Sequence, residues 1–279
     1  MVSSFGFRVC KRNSKHETRN MITSISNPKI KLVRELQTKR KEREAQKLFV
    51  IEGVRLAEEA ARAKAKAALV LHTADIDARA KQAVDALAQL GAQVETVSPS
   101  VMATASETKT PQGLLAVVPF LSSFILHPLS FALVLDRLSD PGNLGAILRT
   151  ADAAGVEAVF LAPDTVDAYN PKVVRAAMGA HFHLPIVEIT WDELATRLAG
   201  LETWLAEARE GEAYDRVDWR EPCALVIGSE AEGPSEAALK FAQKRVHIPM
   251  PGQAESLNAA VAAGVLLFEA ARQKVNSKQ

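Results

Sequence analysis

The sequence has 279 residues, 48% hydrophobic and 24% charged, which is enough to bury a core and long enough for two domains at ~100–200 residues each. This composition excludes a disordered or fibrous chain. No apolar run reaches the ~18 residues of a membrane span, since the stretch 259–268 contains Gly264 and stops at Glu269. Cys10 and Cys223 lie far apart without ligand spacing, so neither a disulfide scaffold nor a zinc site is expected and no metal is assigned. The chain reads as soluble and cytoplasmic, in a reducing compartment.

The net charge is only +1, but residues 1–47 hold 13 Lys/Arg against 4 Asp/Glu, a balance of +9 that leaves −8 for the remainder. Residues 1–20 read as a basic tail, with a transit peptide or an upstream start ahead of Met21 as the alternatives. From Asn27 onward, Ile30, Val33 and Leu36 share one face of an expected helix, and Pro28 suits its first turn. Lys29, Lys31, Arg34, Lys39, Arg40 and Arg43 surround that face as candidate contacts to a polyanionic backbone. A strand LFVIEG, a helix to about Ala63, a strand AALVLH, a helix 78–90, and strands QVETVS and GLLAVVPF complete a first α/β domain over 21–120. A linker follows at 121–130, where Pro128 resists regular structure.

The second domain, 131–279, alternates apolar strands (FALVLD, EAVFLA, ETWLAE, CALVIG, RVHIP) with helices beginning near Asn143, Pro171, Trp191, Pro234 and Ser256. That pattern predicts a parallel sheet covered on both faces. Ligands in such sheets sit outside the carboxyl ends of the strands, and three loops there stand out. In DRLSDPGNLGAILRT, Asn143 is placed to cap a helix, Gly145 permits a close approach, and Arg149 lies six residues beyond Asn143. In GSEAEGPS, Gly228 and Gly233 bracket Glu230. In IPMPGQAESLN, Pro249, Pro251 and Gly252 make an irregular loop ahead of Ser256, Leu257 and Asn258. His181 and His183 alternate on an expected strand and read as packing residues. Trp191, Trp204 and Trp219 are assigned to the core or an interface.

Together these segments resemble the three motifs of SpoU (TrmH) type RNA 2′-O-ribose methyltransferases, over about 131–275: Asn143, Gly145 and Arg149; Gly228, Glu230 and Gly233; and Ile248 through Asn258. The resemblance implies a trefoil-knotted SPOUT domain, which is an exception to the rule that chains do not thread loops. It implies S-adenosylmethionine as cofactor, held at Gly228, Ile248, Met250, Gly252 and Leu257, and a homodimer formed through the C-terminal domain. Arg149 is expected to orient the target and stabilise charge, with Asn143, Glu230, Ser256 and Asn258 in support. The stretch FVIEGVRLAEEA is similar to the L30e-like substrate-binding domain of that family. Where many relatives follow SLN with a small residue and then serine, this chain has Ala259 and Ala260. Ribosomal RNA is the expected substrate. Transfer RNA, an inactive RNA-binding module and an ordinary Rossmann-type nucleotide enzyme are the alternatives; the last lacks a GxGxxG after any expected strand.

Overall fold

A computed structural model of the chain describes residues 21–121, 128–229 and 233–276. The expected tail 1–20 with Cys10, most of the linker, and Glu230 lie outside the described residues. The basic N-terminal segment forms two helices rather than one, α1 (Pro28–Thr38) and α2 (Arg40–Gln46). Asn27 caps α1 by accepting from the Lys29 N–H at 2.9 Å, and Ile30, Val33 and Leu36 are buried as their periodicity requires. The break falls at Lys39, whose backbone is extended. Arg43 explains it. Its Nη1 donates to the carbonyls of Leu36 and Gln37 at 2.5 and 3.1 Å, occupying acceptors that a continuing helix would have paired.

The first sheet contains β1 (Leu48–Glu52), β2 (Leu69–His72), β3 (Gln93–Thr96) and β4 (Leu114–Pro119), in the order β1-β4-β2-β3. Strand β4 runs antiparallel to both of its neighbours. Helices α3 (Val54–Arg62) and α4 (Ala78–Gln89) cover one face of this sheet. Helix α1 and a short helix α5 (Pro99–Ala105) cover the other. The sequence patterns did not anticipate α5; the Ser98 hydroxyl caps it by accepting from the Val101 N–H at 3.3 Å.

The second sheet is a seven-stranded, all-parallel sheet in the order β7-β6-β5-β10-β8-β11-β9. Its strands are β5 (Phe131–Leu135), β6 (Ala158–Leu161), β7 (Ile186–Glu188), β8 (Glu202–Glu207), β9 (Glu212–Ala213), β10 (Cys223–Ile227) and β11 (Lys244–His247). Its helices are α6 (Pro141–Ala153), α7 (Pro171–Ala177), α8 (Trp191–Arg197), α9 (Glu236–Phe241) and α10 (Ala259–Asn276). Phe131, Leu133 and Leu135 of β5 pack with α6, α7 and α10, while Ala132 and Val134 pack with α8 and α9. Burial on both faces is the reason β5 and β10 read as unbroken apolar runs.

The two sheets share one continuous core. At their junction Phe120 stacks on Tyr169 at 3.5 Å, and Phe49 packs against both Tyr169 and His181. His181 lies in a single 3₁₀ turn, Ala180–Phe182, not on the strand its alternation with His183 suggested. It is buried, and its Nε2 is 2.7 Å from the Ala168 carbonyl. Burial pushes its pKa down to about 4, so the imidazole is neutral at physiological pH. His183 is partly exposed and pairs with Glu59 of α3 at 3.1 Å.

Arg43, expected among the RNA contacts, is instead a buried tie across this junction. It is 3% exposed, and its Nε and Nη2 donate to Asp167 Oδ2 at 3.0 and 2.5 Å. The other Asp167 oxygen accepts from the Tyr169 N–H at 2.8 Å. Removing one partner of such a pair strands a buried charge. An Arg43→Ala variant is therefore expected to lose about 3–5 kcal/mol in a denaturant titration. Arg40→Ala, whose pairs with Glu44 and Glu188 are exposed, should lose no more than about 1 kcal/mol.

Candidate active site

The carboxyl ends of β10, β8 and β11 lie side by side, and a cavity of about 190 Å³ opens above them. Ile227, Ala206 and Val246, from these three strands, line it at its base. One wall is the loop after β10, with Gly228, Ser229, Gly233 and Pro234; another is the loop after β11, with Ile248, Met250, Ser256 and Leu257. Helix α10 contributes Ala259, Ala262 and Leu266. A second cavity shares Ala208, Ile248 and Met250 with the first and extends along the β11 loop past Gly252. The site thus stands where α/β sheets hold ligands. Four of the five residues expected to hold the cofactor line the first cavity, and Gly252 lines the second.

The loop after β10 is held closed at its base. Ser229 and Gly233 form an antiparallel bridge, and Gly228 packs on Pro234 so tightly that a Cβ there would come within 3.0 Å of the proline Cα. Asp136, just beyond β5 and fully buried, accepts from the Ser235 N–H at 2.7 Å through Oδ2. Arg137, held at φ 54°, reaches the Gly233 carbonyl at 3.4 Å. Sequence reasoning assigned neither residue, because an Asp-Arg pair closing a strand has no spacing that announces it. Helix α9 begins at Glu236 with Ser235 as its cap, two residues later than the position of Pro234 suggested.

Asn143 does not cap α6. Asp140 does, accepting from the Asn143 N–H at 2.7 Å, with Pro141 at the first helical position. The Asn143 side chain is thereby left to accept from the Asn258 Nδ2 at 3.1 Å. Asn258 in turn caps α10, its Oδ1 accepting from the N–H groups of Ala260 and Val261 at 3.0 and 3.3 Å. The first and third sequence segments, 115 residues apart, therefore meet in a direct bond. Alanine at 259 and 260 leaves this cap intact. Ser256 lies ahead of α10 rather than inside it.

Arg149 is exposed on α6, makes no hydrogen bond or ion pair among the described residues, and does not line the cavity. No bond links it to Asn143. Gly145 permits a close approach of α7: a Cβ there would stand 2.4 Å from the Ala176 Cβ and 2.7 Å from the Val173 carbonyl. Glu207, the last residue of β8, lines the cavity, and its side chain makes no hydrogen bond or ion pair among the described residues. Burial raises its carboxyl above the ordinary range, against the influence of Arg245 and with that of Glu210. Its signal in the sequence was its place at the end of an expected strand.

The remaining basic candidates divide. Lys29 pairs with Glu95, Lys39 with Glu35, and Arg40 with Glu44 and Glu188. Lys31 and Arg34 are exposed and carry no ion pair among the described residues. Trp204 and Trp219 are buried against each other at 5.7 Å, and Trp191 packs on Phe241. Among the described residues no group of His, Cys, Asp and Glu is arranged to hold a metal.

Residues 130–268 match the SpoU rRNA Methylase family, and residues 27–116 match the MRM3-like substrate binding domain. The chain is 35% identical to the 23S rRNA (guanosine(2553)-2′-O)-methyltransferase RlmP of Bacillus subtilis, over 88% of this chain and 97% of that protein. An AdoMet-bound rRNA methyltransferase from Sinorhizobium meliloti superposes with a TM-score of 0.79 at 31% identity, covering 90% of this chain and 97% of that one. The SpoU methyltransferase AviRb from Streptomyces viridochromogenes, in complex with AdoMet, superposes with a TM-score of 0.75 at 28% identity, covering 90% of this chain and 100% of that one. The chain belongs to the SpoU rRNA methylase family. It is an S-adenosylmethionine-dependent RNA 2′-O-ribose methyltransferase.

The α6–α7 contact sets where Asn143 and Arg149 stand. A Gly145→Ala variant is expected to cost about 1–3 kcal/mol through overpacking, read as a lowered midpoint in denaturant.

Proposed function

We propose that this enzyme methylates a ribose 2′-hydroxyl in ribosomal RNA of the large-subunit, 23S type. The observation that carries the reading is the bond between Asn143 and Asn258. It joins the helix that bears Arg149 to the residue directly after Leu257, which lines the cavity at the strand ends. Support for the ribosomal substrate comes from the Bacillus subtilis relative, named for a 23S rRNA guanosine. Transfer RNA and an inactive RNA-binding module are the outcomes that would displace it. Cytoplasmic location belongs to the same reading; among the described residues no helix is long and apolar enough to cross a membrane.

The cofactor, held at Gly228, Ile248, Met250, Gly252 and Leu257, supplies an electrophilic methyl group. The rest of the work falls to the chain. Main-chain groups of the loops after β10 and β11 bind and orient, and the apolar walls from Ile227, Val246 and Leu266 exclude water. Asn258 and Ser256 order the cofactor loop, and Glu230, outside the described residues, is assigned to the loop after β10. Arg149, permanently cationic and unpaired among the described residues, grips the RNA backbone beside the target ribose and stabilises charge as the hydroxyl proton leaves. Lys31 and Arg34 lie three residues apart on one face of α1 and offer two phosphate contacts, with Lys29, Lys39 and Arg40 available where RNA displaces their carboxylate partners.

The knot and the L30e likeness of the first domain are part of this proposal. So is a homodimer. Val261, Phe268 and Val275 recur every seven residues along α10 and stand 52%, 53% and 59% exposed, an apolar stripe suited to a second copy of the same helix.

Three measurements bear on these readings. Mapping of 2′-O-methylation with and without the gene should show one site missing from large-subunit ribosomal RNA; a loss confined to transfer RNA would overturn the substrate. Arg149→Ala should bind cofactor with parental affinity while methylation falls on the order of a hundredfold; methylation at the parental rate would refute its role. Phe268→Glu should elute as a monomer in size-exclusion chromatography with light scattering, and an unchanged dimer would remove α10 from the interface.

A further inference from the structure

Glu207 ends β8, the strand hydrogen-bonded between β10 and β11. Among the described residues lining the cavity, Glu207 is the one whose side chain is charged. Its side chain makes no hydrogen bond or ion pair with any described residue. The nearby Arg245 is engaged by Glu210, on the far side of the short loop after β8. A carboxylate drawn partly out of water without donors is costly, and the cost is recovered when a ligand brings donors to it. Burial already raises its pKa by more than the nearby Arg245 lowers it.

The cofactor's adenosyl group presents two neighbouring ribose hydroxyls, both donors, and a carboxylate can accept both at once. Parallel α/β sheets that bind nucleotides use an acidic residue on the ribose hydroxyl for the same reason. We propose that Glu207 holds the 2′- and 3′-hydroxyls of the cofactor's ribose, fixing the nucleoside against the ends of β8 and β10. Glu207 thus recognises the part common to substrate and product cofactor, and it reads the diol rather than the sulfonium charge. The inference rests on the cavity being the cofactor site.

The test is calorimetric titration of the full chain with S-adenosylmethionine, S-adenosylhomocysteine and the 2′,3′-dideoxy analogue of S-adenosylhomocysteine. Glu207→Ala should weaken the first two alike, by roughly tenfold to a hundredfold, with Glu207→Gln in between. The dideoxy analogue should bind the parental protein weakly and Glu207→Ala no more weakly. Because the Glu207 side chain makes no hydrogen bond or ion pair among the described residues, parental thermal midpoints are expected for both variants. Weakening of S-adenosylmethionine alone would assign the carboxylate to the sulfonium and overturn the proposal, as would unchanged affinity for all three. Ala262→Phe, which fills the cavity from α10, separates the two layers of the argument. If a folded Ala262→Phe still binds S-adenosylhomocysteine as the parent does, the cavity itself is wrongly assigned. If it does not bind while Glu207→Ala does so unimpaired, only the role of Glu207 fails.

Discussion

The insertion of β8 between β10 and β11, with every strand of the second sheet parallel, is the constraint on which the site depends. The chain lays down β5, β6 and β7 outward to one edge, then returns to the other side, where β8 to β11 come to stand beside β5 in the spatial order β10-β8-β11-β9. Parallel pairing turns the carboxyl ends of all these strands to one end of the sheet. The loops that follow β8, β10 and β11 must therefore converge, and the cavity is what they enclose. Reversing any one of the three would send its loop to the opposite end.

A second constraint lies at the junction of the two sheets. Arg43 satisfies Asp167 and two helix-terminal carbonyls at once, and around it Phe49, Phe120, Tyr169 and neutral His181 close the core. A buried ion pair with nearly all its hydrogen bonds made has a narrow geometric optimum, so it favours one docking angle even where its net contribution to stability is modest. The positions of Lys31 and Arg34 relative to the cavity follow from that angle. Of the six basic residues expected to meet RNA, Arg43 is withdrawn into the protein as part of that docking.

The legibility of the sequence differed from element to element for physical reasons. Strands buried on both faces, such as FALVL and CALVI, announced themselves as unbroken apolar runs. The three-residue β7 and two-residue β9 carry too little pattern to be seen, and α5 is a capped helix of about two turns whose alanines and valine read as loop. His181 and His183 alternated like strand residues, yet Gly179 in the left-handed region turns the backbone into a 3₁₀ turn instead. Two polar residues near one helix start, Asp140 and Asn143, both suited a cap. The fold gives the cap to Asp140, which leaves the Asn143 side chain to accept from Asn258 across the chain.

By itself the sequence determined the parallel α/β class, the family, and the segments at the strand ends, because periodicity and glycine and proline placement are local properties that survive without partners. Tertiary structure decided the rest. It chose Arg43 as a tie rather than an RNA contact and joined Asn143 to Asn258 over 115 residues. It also set Glu207, with no side-chain hydrogen bond or ion pair among the described residues, in the cavity wall. Each of these depends on which groups compete for the same donor or acceptor in three dimensions, and no spacing along the chain records that competition.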